Sequence, residues 1–182
     1  MLLLSVLFVV ILVAYAQQPP PAQQSINTKV KIIELKQAEI LYKLENSEAQ
    51  VLKNNVVFFH DGAYMYCDSA YLFGTTNSFE AFGNVRMVQG DTIFVYGDYL
   101  HYDGNTKFAR LRKNIRMEDK QATLFTDSLD YDRVANLGYY FDGGMLVDEE
   151  NELTSFWGQY DLNTHDAMFN DSVRLVNPDY TI

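Results

Sequence analysis

The stretch GNVRMVQGDTIFVYGDYLHYDG, residues 83–104, decides the fold of this chain. Apolar and polar residues alternate along it, and the alternation is interrupted at Gly97-Asp98 and closed at Asp103-Gly104. Because side chains two positions apart on a strand share a face, the alternation predicts a half-buried antiparallel hairpin. The Gly97-Asp98 step predicts a bulge or corner inside the second strand.

The same pattern recurs along the chain at a nearly constant period. Segments that resemble NVRMV start at Asn55, Asn84, Asn114, Gly144 and Ser172, which is a period of roughly 30 residues, typical of repeat architectures. A second series of similar strands lies between them in constant phase. One unit of two strands cannot bury its apolar face alone, so stacked units are expected to share a continuous apolar interior, here called the seam.

We interpret the in-phase apolar positions of the repeats as the residues that line this seam. The alternative is that they only fill a core. The predicted seam residues are Phe58, Phe79, Val85, Met87, Leu100, Tyr102, Leu111, Ile115, Met117, Leu129, Tyr131, Phe141, Met145, Val147, Phe169, Val173 and Leu175.

Three arginines, Arg86, Arg116 and Arg174, occupy one slot on the opposite, polar face of the repeats. They are candidate phosphate contacts, because the planar guanidinium fork matches phosphate geometry. The alternative is that these charges only keep a strand face soluble.

Composition restricts the function further. The net charge is −10 with only 14 Lys and Arg, so the electrostatic footprint of a nucleic-acid binder is absent and no nucleic-acid partner is predicted. The chain has 13 Tyr and 12 Phe, which is typical of strands. Its three histidines lie at unrelated offsets, so neither a metal site nor a cofactor is predicted, and its single cysteine excludes a disulfide within one chain.

The N-terminal sequence predicts export. Residues 1–16 combine an uncharged apolar run with a small-x-small cleavage pattern and are interpreted as a signal peptide, whereas a retained anchor is the alternative. Residues 17–29 are rich in Pro and Gln and are expected to form a linker. Residues 30–182 form the predicted repeat domain, whose last copy stops after one strand, so a longer array truncated at its C-terminus is expected.

The units GNVRMVQGDTIFVYGDYLHYDGNTKFARLRKNIRM and NIRMEDKQATLFTDSLDYDRVANLGYYFDGGMLV resemble the repeats of the OstA-like, or LptA-like, organic-solvent-tolerance and lipopolysaccharide-transport proteins. The resemblance implies an all-β, V-shaped antiparallel β-jelly roll with an open sheet edge at each end. It also implies a periplasmic protein that binds acyl chains of lipopolysaccharide or a related lipid between two layers. Edge-to-edge β-augmentation would join it to like-folded β-jelly-roll proteins of the inner and outer membrane, or to further copies of itself end to end.

The resulting hypothesis is a non-enzymatic lipid conduit that bridges the inner and outer membranes for outer-membrane assembly, with the seam as its binding site. The alternative is a structural or adhesive β-solenoid of the envelope, with a filled core and no lipid cargo. A carbohydrate-active enzyme on a β-roll would need a close pair of exposed carboxylates. Any chain with 24 acidic residues can supply such a pair, so this third function is disfavoured.

Overall fold

The structure is a computed structural model that describes residues 31–181. The predicted signal peptide and the predicted linker lie outside the described residues. Within residues 31–181 the chain forms fifteen β-strands in one antiparallel sheet and no helix. The strands are β1 Glu34–Gln37, β2 Ile40–Lys43, β3 Gln50–His60, β4 Ala63–Phe73, β5 Ser78–Gln89, β6 Ile93–Asp103, β7 Phe108–Glu118, β8 Thr123–Asp132, β9 Leu137–Tyr140, β10 Gly144–Val147, β11 Glu152–Ser155, β12 Trp157–Asp161, β13 Ala167–Asn170, β14 Arg174–Asn177 and β15 Tyr180–Thr181.

Consecutive long strands, β3 to β8, pair as a meander joined by short turns. The pairing register shifts once near the middle of each long pair, for example between Phe82 and Val85 of β5 and between Tyr96 and Tyr99 of β6. The predicted corner at Gly97-Asp98 is therefore confirmed. The shift marks a bulge, which bends a strand and leaves its two halves at an angle.

Left-handed backbone residues mark this bend in each repeat, as a consecutive pair in four repeats and as a single residue in the fourth repeat. The last left-handed residue of each bend is the equivalent position. The φ angles are 52°, 45°, 52°, 87° and 54°, at Asn55, Asn84, Asn114, Gly143 and Ser172. Asn adopts this region more readily than most residues. The Asn84 side chain also donates to Asp68 over 2.7 Å, and that of Asn114 donates to Asp98 over 2.5 Å. The repeated Asn and Asp therefore stabilise the bend.

The bends divide the sheet into two layers that face each other. Layer 1 contains β1, the halves of β3 to β8 that pair with it in turn, and β10, β11, β14 and β15. Layer 2 contains β2, the other halves of β3 to β8, and β9, β12 and β13. The rings of Phe58 in layer 1 and Phe79 in layer 2 stack with centroids 4.2 Å apart, so the layers meet across an apolar interior. The predicted repeat-built antiparallel roll with open sheet edges is confirmed.

The predicted phase of the fourth repeat is wrong by one position. The pattern aligns Gly144 with Asn114, but the left-handed residue equivalent to Asn114 is Gly143. Each residue of β10 is therefore offset by one position from its predicted equivalent. Met145 consequently pairs with Phe125 on the outer face, and Leu146 pairs with the buried Leu124. A shift of one position moves every side chain of a strand to the other face.

Three predicted seam residues, Phe141, Met145 and Val147, therefore do not face the seam. Phe141 lies under the Arg112 guanidinium, 5.1 Å from its ring centroid, on the outer surface. Val173 lies two positions before the inward Leu175, but it is 48% exposed next to the bend that precedes β14 and is not buried in the seam. Among the described strands of layer 2, β13 pairs only with β12, so no described strand covers that side of the bend.

The bend predicts unequal effects of two glycine substitutions. A Cβ added at Gly143 or at Gly74 meets no atom within 4 Å, but only Gly143 has a left-handed φ, of 87°. Gly143→Ala should lower the free energy of unfolding by about 1–2 kcal/mol through backbone strain alone. Gly74→Ala, the matched control, should change it by less than about 0.5 kcal/mol. Urea denaturation measures both, and equal losses would contradict the assignment of the bend.

Candidate functional site: the seam and its mouth

An apolar row runs across the inner face of layer 1 from one strand to the next. Each member lies directly opposite its neighbour on the adjacent strand. The row contains ten side chains: Leu35, Phe58, Met65, Met87, Val95, Met117, Leu124, Leu146, Leu153 and Leu175. Such a row presents an unbroken strip of hydrocarbon along the seam.

The facing row of layer 2 begins with two large side chains and alternates large and small ones from Tyr102 onward. Directly opposite neighbours are Phe79, Tyr102, Ala109, Tyr131, Gly138, Tyr160 and Ala167. A Cβ at Gly138 would lie 3.4 Å from Met117 Sδ in layer 1, so the small members leave room for the opposite layer. The alternation lets side chains of the two layers interlock.

Eleven of the seventeen predicted seam residues lie in the interior between β3 and β8, with exposures of 0–2%. These are Phe58, Phe79, Val85, Met87, Leu100, Tyr102, Leu111, Ile115, Met117, Leu129 and Tyr131. Their predicted inward orientation is confirmed. In this part of the molecule the seam is filled by its own side chains.

The seam becomes looser beyond β8. The strands there are much shorter than β3 to β8, and the two halves of each repeat are separate strands. Leu146, Leu153 and Leu175 of layer 1, and Phe169 of layer 2, point inward but are only partly buried. Leu175 and Phe169 thus have the predicted orientation, and Leu146 replaces Met145.

Tyr140 connects the two layers where this looser part begins. A Cβ at Gly144 or Gly158 would overlap the Tyr140 ring, so both glycines are needed for the ring to fit. Its hydroxyl lies 2.5 Å from Ser155 Oγ, and the side chain is buried. The sequence pattern does not single out this residue, because the misplaced phase puts Tyr139 in its position.

Three tyrosines close the side of the seam that lies opposite the bends, here called the mouth. Tyr102, Tyr131 and Tyr160 of layer 2 are equally spaced along the chain, and each hydroxyl reaches a residue at the end of a layer 1 strand or in the turn that follows it. We call each such contact group a clasp. Clasp 1 is His60–Tyr102–Arg133, clasp 2 is Gln89–Tyr131–Asn136 and clasp 3 is Asp119–Tyr160–His165.

Clasp 1 is buried and holds a neutral histidine. The Lys31 carbonyl can only accept, so His60 Nε2 donates to it over 3.0 Å. His60 Nδ1 then accepts from the Tyr102 hydroxyl over 2.8 Å, and that hydroxyl accepts from Arg133 over 2.6 Å. Burial is the largest effect and lowers the pKa of His60, outweighing the raising effect of its hydrogen bond to the Lys31 carbonyl. The Arg133 and Lys107 cations lower this pKa further, and Asp61 raises it.

Clasps 2 and 3 differ in how their polar groups are held. In clasp 2, Gln89 donates to Asn136 over 3.0 Å and accepts from Arg133 over 2.8 Å, so clasps 1 and 2 share one network. In clasp 3, burial of Asp119 is outweighed by hydrogen bonds from the Ala122 and Gln121 N–H groups and from the Tyr160 hydroxyl, which lower the pKa of Asp119. Burial raises the pKa of Tyr131 to about 12, consistent with its closed position.

The predicted arginines lie on the outer face of layer 1. Arg86 and Arg116 each stack over a tyrosine ring on the neighbouring strand, at 4.3 Å from the centroids of Tyr66 and Tyr96 respectively. Their polar-face orientation is confirmed, as is that of the exposed Arg174, which pairs with Thr154. One strand lies between Arg86 and Arg116, which places their backbones roughly 10 Å apart, and three strands lie between Arg116 and Arg174, roughly 19 Å. Their phosphate-binding role stays a prediction.

A family model described as OstA-like protein matches residues 27–182. The chain belongs to the OstA-like protein family. A comparison of this OstA-like chain with curated proteins gave no significant match. Among solved structures it is similar to the crystal structure of LptH, "the LptA homologous periplasmic component of the conserved lipopolysaccharide transport device from Pseudomonas aeruginosa". The two share 12% identity over 79% of this chain and 93% of LptH, with a TM-score of 0.36.

Two further properties concern the described part of the OstA-like domain. Residues 31–181 contain no helix with the length and apolar character needed to cross a membrane. Across the same range, no three His, Cys, Asp or Glu side chains are grouped closely enough to hold a metal ion.

Clasp 1 predicts a pH dependence of stability. The folded state holds His60 neutral with a pKa below its ordinary value of 6.5, so its stabilising contribution is complete above pH 6.5. Below that pH the unfolded chain binds more protons than the folded one, and the free energy of unfolding should fall as the pH drops further. Urea denaturation between pH 8 and pH 5 measures the slope.

The matched variants separate His60 from the other histidines. His60→Gln should remove this part of the slope, whereas His101→Gln should retain it, because His101 lies on the outer face beside Arg110. A slope that survives in His60→Gln would show that another group titrates.

Proposed function

We propose that this OstA-like chain is a non-enzymatic lipid-binding protein of the periplasm that carries acyl chains of lipopolysaccharide, or of a related lipid, in its seam. Family membership, the predicted signal peptide and the continuous apolar row of layer 1 support the proposal. The observation that carries it is the change in filling along that row. The row is fully buried from Phe58 to Leu124, whereas Leu35 at one end and Leu146, Leu153 and Leu175 at the other are only partly buried, and the longer stretch of such side chains lies beyond β8.

The physical basis of binding is transfer of hydrocarbon out of water, worth roughly 25 cal/mol for each Å² of apolar surface removed. Leu146, Leu153, Leu175 and Phe169 can make these contacts without displacing a packed neighbour. The eleven predicted residues between β3 and β8 already contact one another, so an acyl chain would reach them only if the layers part. We therefore place the primary binding region beyond β8.

The sheet edges support the second part of the proposal, which is bridging. Among the described strands, β1 and β2 pair only with β3, and β13 and β15 each have one neighbour. An unpaired strand edge can accept a strand from another chain through main-chain hydrogen bonds. We propose that these edges join the protein to like-folded β-jelly-roll proteins of the inner and outer membrane, or to further copies of itself. Arg86, Arg116 and Arg174 would then meet lipid phosphates on the outer face.

The packed interior favours a second candidate function. Eleven predicted seam residues are 0–2% exposed, which is the expected state of a structural or adhesive β-solenoid with a filled core. The two functions differ in whether the looser part of the seam contains a lipid in the envelope. They are separated by a cross-linking experiment.

Neighbouring positions on one strand provide the test. A photo-reactive amino acid at Leu146 or Leu175 should cross-link to lipopolysaccharide in cells, because both positions face the seam. The same amino acid at Met145, one position away on the outer face of β10, is the matched control and should not.

Immunoblots with an antibody to lipopolysaccharide report the cross-linked product. Cross-linking of similar yield from 145 and 146, or none from 146 and 175 in a folded, exported protein, would contradict the carrier function and favour the filled solenoid.

A further inference from the structure

The three clasps of the mouth resist opening to different degrees. Arg133 donates hydrogen bonds to Gln89, to the Tyr102 hydroxyl and to the carbonyl groups of His60 and Asp61. Opening clasp 1 would separate this guanidinium from its acceptors. His60 and Arg133 are only 1% and 8% exposed, so their partners would have to be replaced by water inside a packed region. Clasp 2 shares Gln89 with this network and is held with it.

Clasp 3 can open without leaving a buried group unpaired. Asp119 Oδ1 accepts from the N–H groups of Gln121 and Ala122 over 2.7 and 2.8 Å, within its own turn. Only Oδ2 bonds across the mouth, to the Tyr160 hydroxyl at 2.8 Å and to His165 Nδ1 at 3.2 Å. If layer 2 moves away, the carboxylate keeps its local donors, and Tyr160 and His165 reach solvent. The cost of opening is therefore lower than at clasp 1.

The interior next to clasp 3, on the side away from clasps 1 and 2, is also less packed. The seam residues behind clasps 1 and 2 are fully buried, including Phe79, Met87 and Met117. Those beyond clasp 3 are the partly buried Leu146, Leu153 and Leu175, on the short strands β10, β11 and β14. Segments with few buried apolar contacts open with the lowest free energy.

A groove on the surface reaches the seam at this clasp. It has a volume of 460 Å³ and lies between the β7–β8, β10–β11 and β12–β13 turns. Its walls include Tyr160 and His165 of clasp 3, and its lining includes Leu146, an inward member of the apolar row. This volume is within the range of small-ligand pockets, about 300–1,000 Å³. The groove therefore touches the seam at Leu146, whereas its outer rim, formed by Lys120, Gln121 and residues 148–151, is polar.

We propose that this groove is the lateral entrance for an acyl chain and that clasp 3 is its gate. The inference rests on the proposed function and adds where the lipid enters and which residues control its entry. A hydrocarbon chain that enters here passes the Tyr160 ring and meets Leu146 first. Clasps 1 and 2 stay closed and keep the layers together.

A matched pair of tyrosine variants tests the gate. Tyr160→Phe removes only the hydroxyl that holds clasp 3, so N-phenyl-1-naphthylamine, an uncharged fluorescent probe, should bind about fivefold faster than to the wild type. Tyr131→Phe makes the same change at the equivalent position of clasp 2 and should leave the rate unchanged. Stopped-flow fluorescence measures the rates, and equal rates for the two variants would overturn the gate.

A reversible bridge tests the same gate by closing it. In a Cys67→Ala background, Asp119→Cys and His165→Cys are bridged with a short bifunctional methanethiosulfonate. Bridging should abolish probe binding, and dithiothreitol should restore it. Gln89→Cys with Asn136→Cys, bridged in the same way across clasp 2, is the control and should bind the probe normally.

The outcomes separate the gate from the function on which it rests. Probe binding that persists with clasp 3 bridged overturns the gate and leaves the carrier function standing. A wild-type protein that neither binds the probe nor cross-links to lipopolysaccharide from position 146 overturns the carrier function, and the gate with it. A bridged variant that regains binding under dithiothreitol shows that the substitutions themselves did not unfold the protein.

Discussion

The bend at the left-handed residue is the constraint on which the rest of the structure depends. Asn55, Asn84, Asn114, Gly143 and Ser172 repeat it at nearly equal intervals along the chain. Each bend places one half of a strand in layer 1 and the other half in layer 2. A flat meander of the same strands would leave one apolar face in water, whereas the bent sheet covers that face with itself. The seam, its mouth and the outer arginines all follow from this geometry.

The bend also explains why many polar groups of the interior, such as His60 and Arg133, lie at the mouth. Strand ends are farthest from the bends, and there the turns of the two layers approach each other. Polar side chains at these ends can satisfy one another across the gap, which a buried hydroxyl or amide requires. In the described part of the chain, no buried side-chain nitrogen or oxygen lacks a hydrogen-bond partner. The three clasps close the apolar interior without an energetic penalty for unpaired groups.

Much of the fold could be predicted from the sequence because strand alternation and the near-constant repeat support each other. Both signals are strong from β3 to β8, and the inward positions there, such as Met87 and Met117, are buried as predicted. The fourth repeat could not be placed correctly because Gly143-Gly144 offers two glycines for one left-handed position. Only the backbone distinguishes them, with a φ of 87° at Gly143. Because of this shift, Phe141, Met145 and Val147 lie on the outer face instead of the predicted inner face. The clasps could not be predicted, for a different reason. Tyr102, Tyr131 and Tyr160 recur at equal spacing, but their hydrogen-bond partners differ in chemistry. Contacts between two layers cannot be derived from the pattern of one strand.

The central claim is that one bent sheet is tightly packed between β3 and β8 and more loosely packed beyond β8. Amide hydrogen exchange tests this claim most directly. In the free protein, the strands β3 to β8 should exchange slowly through global opening, and β9 to β14 should exchange faster through local opening. Added lipopolysaccharide should slow exchange in β10 to β14, with little change elsewhere. Uniform protection of all strands in the free protein, or protection by lipid confined to β3 to β8, would contradict the account.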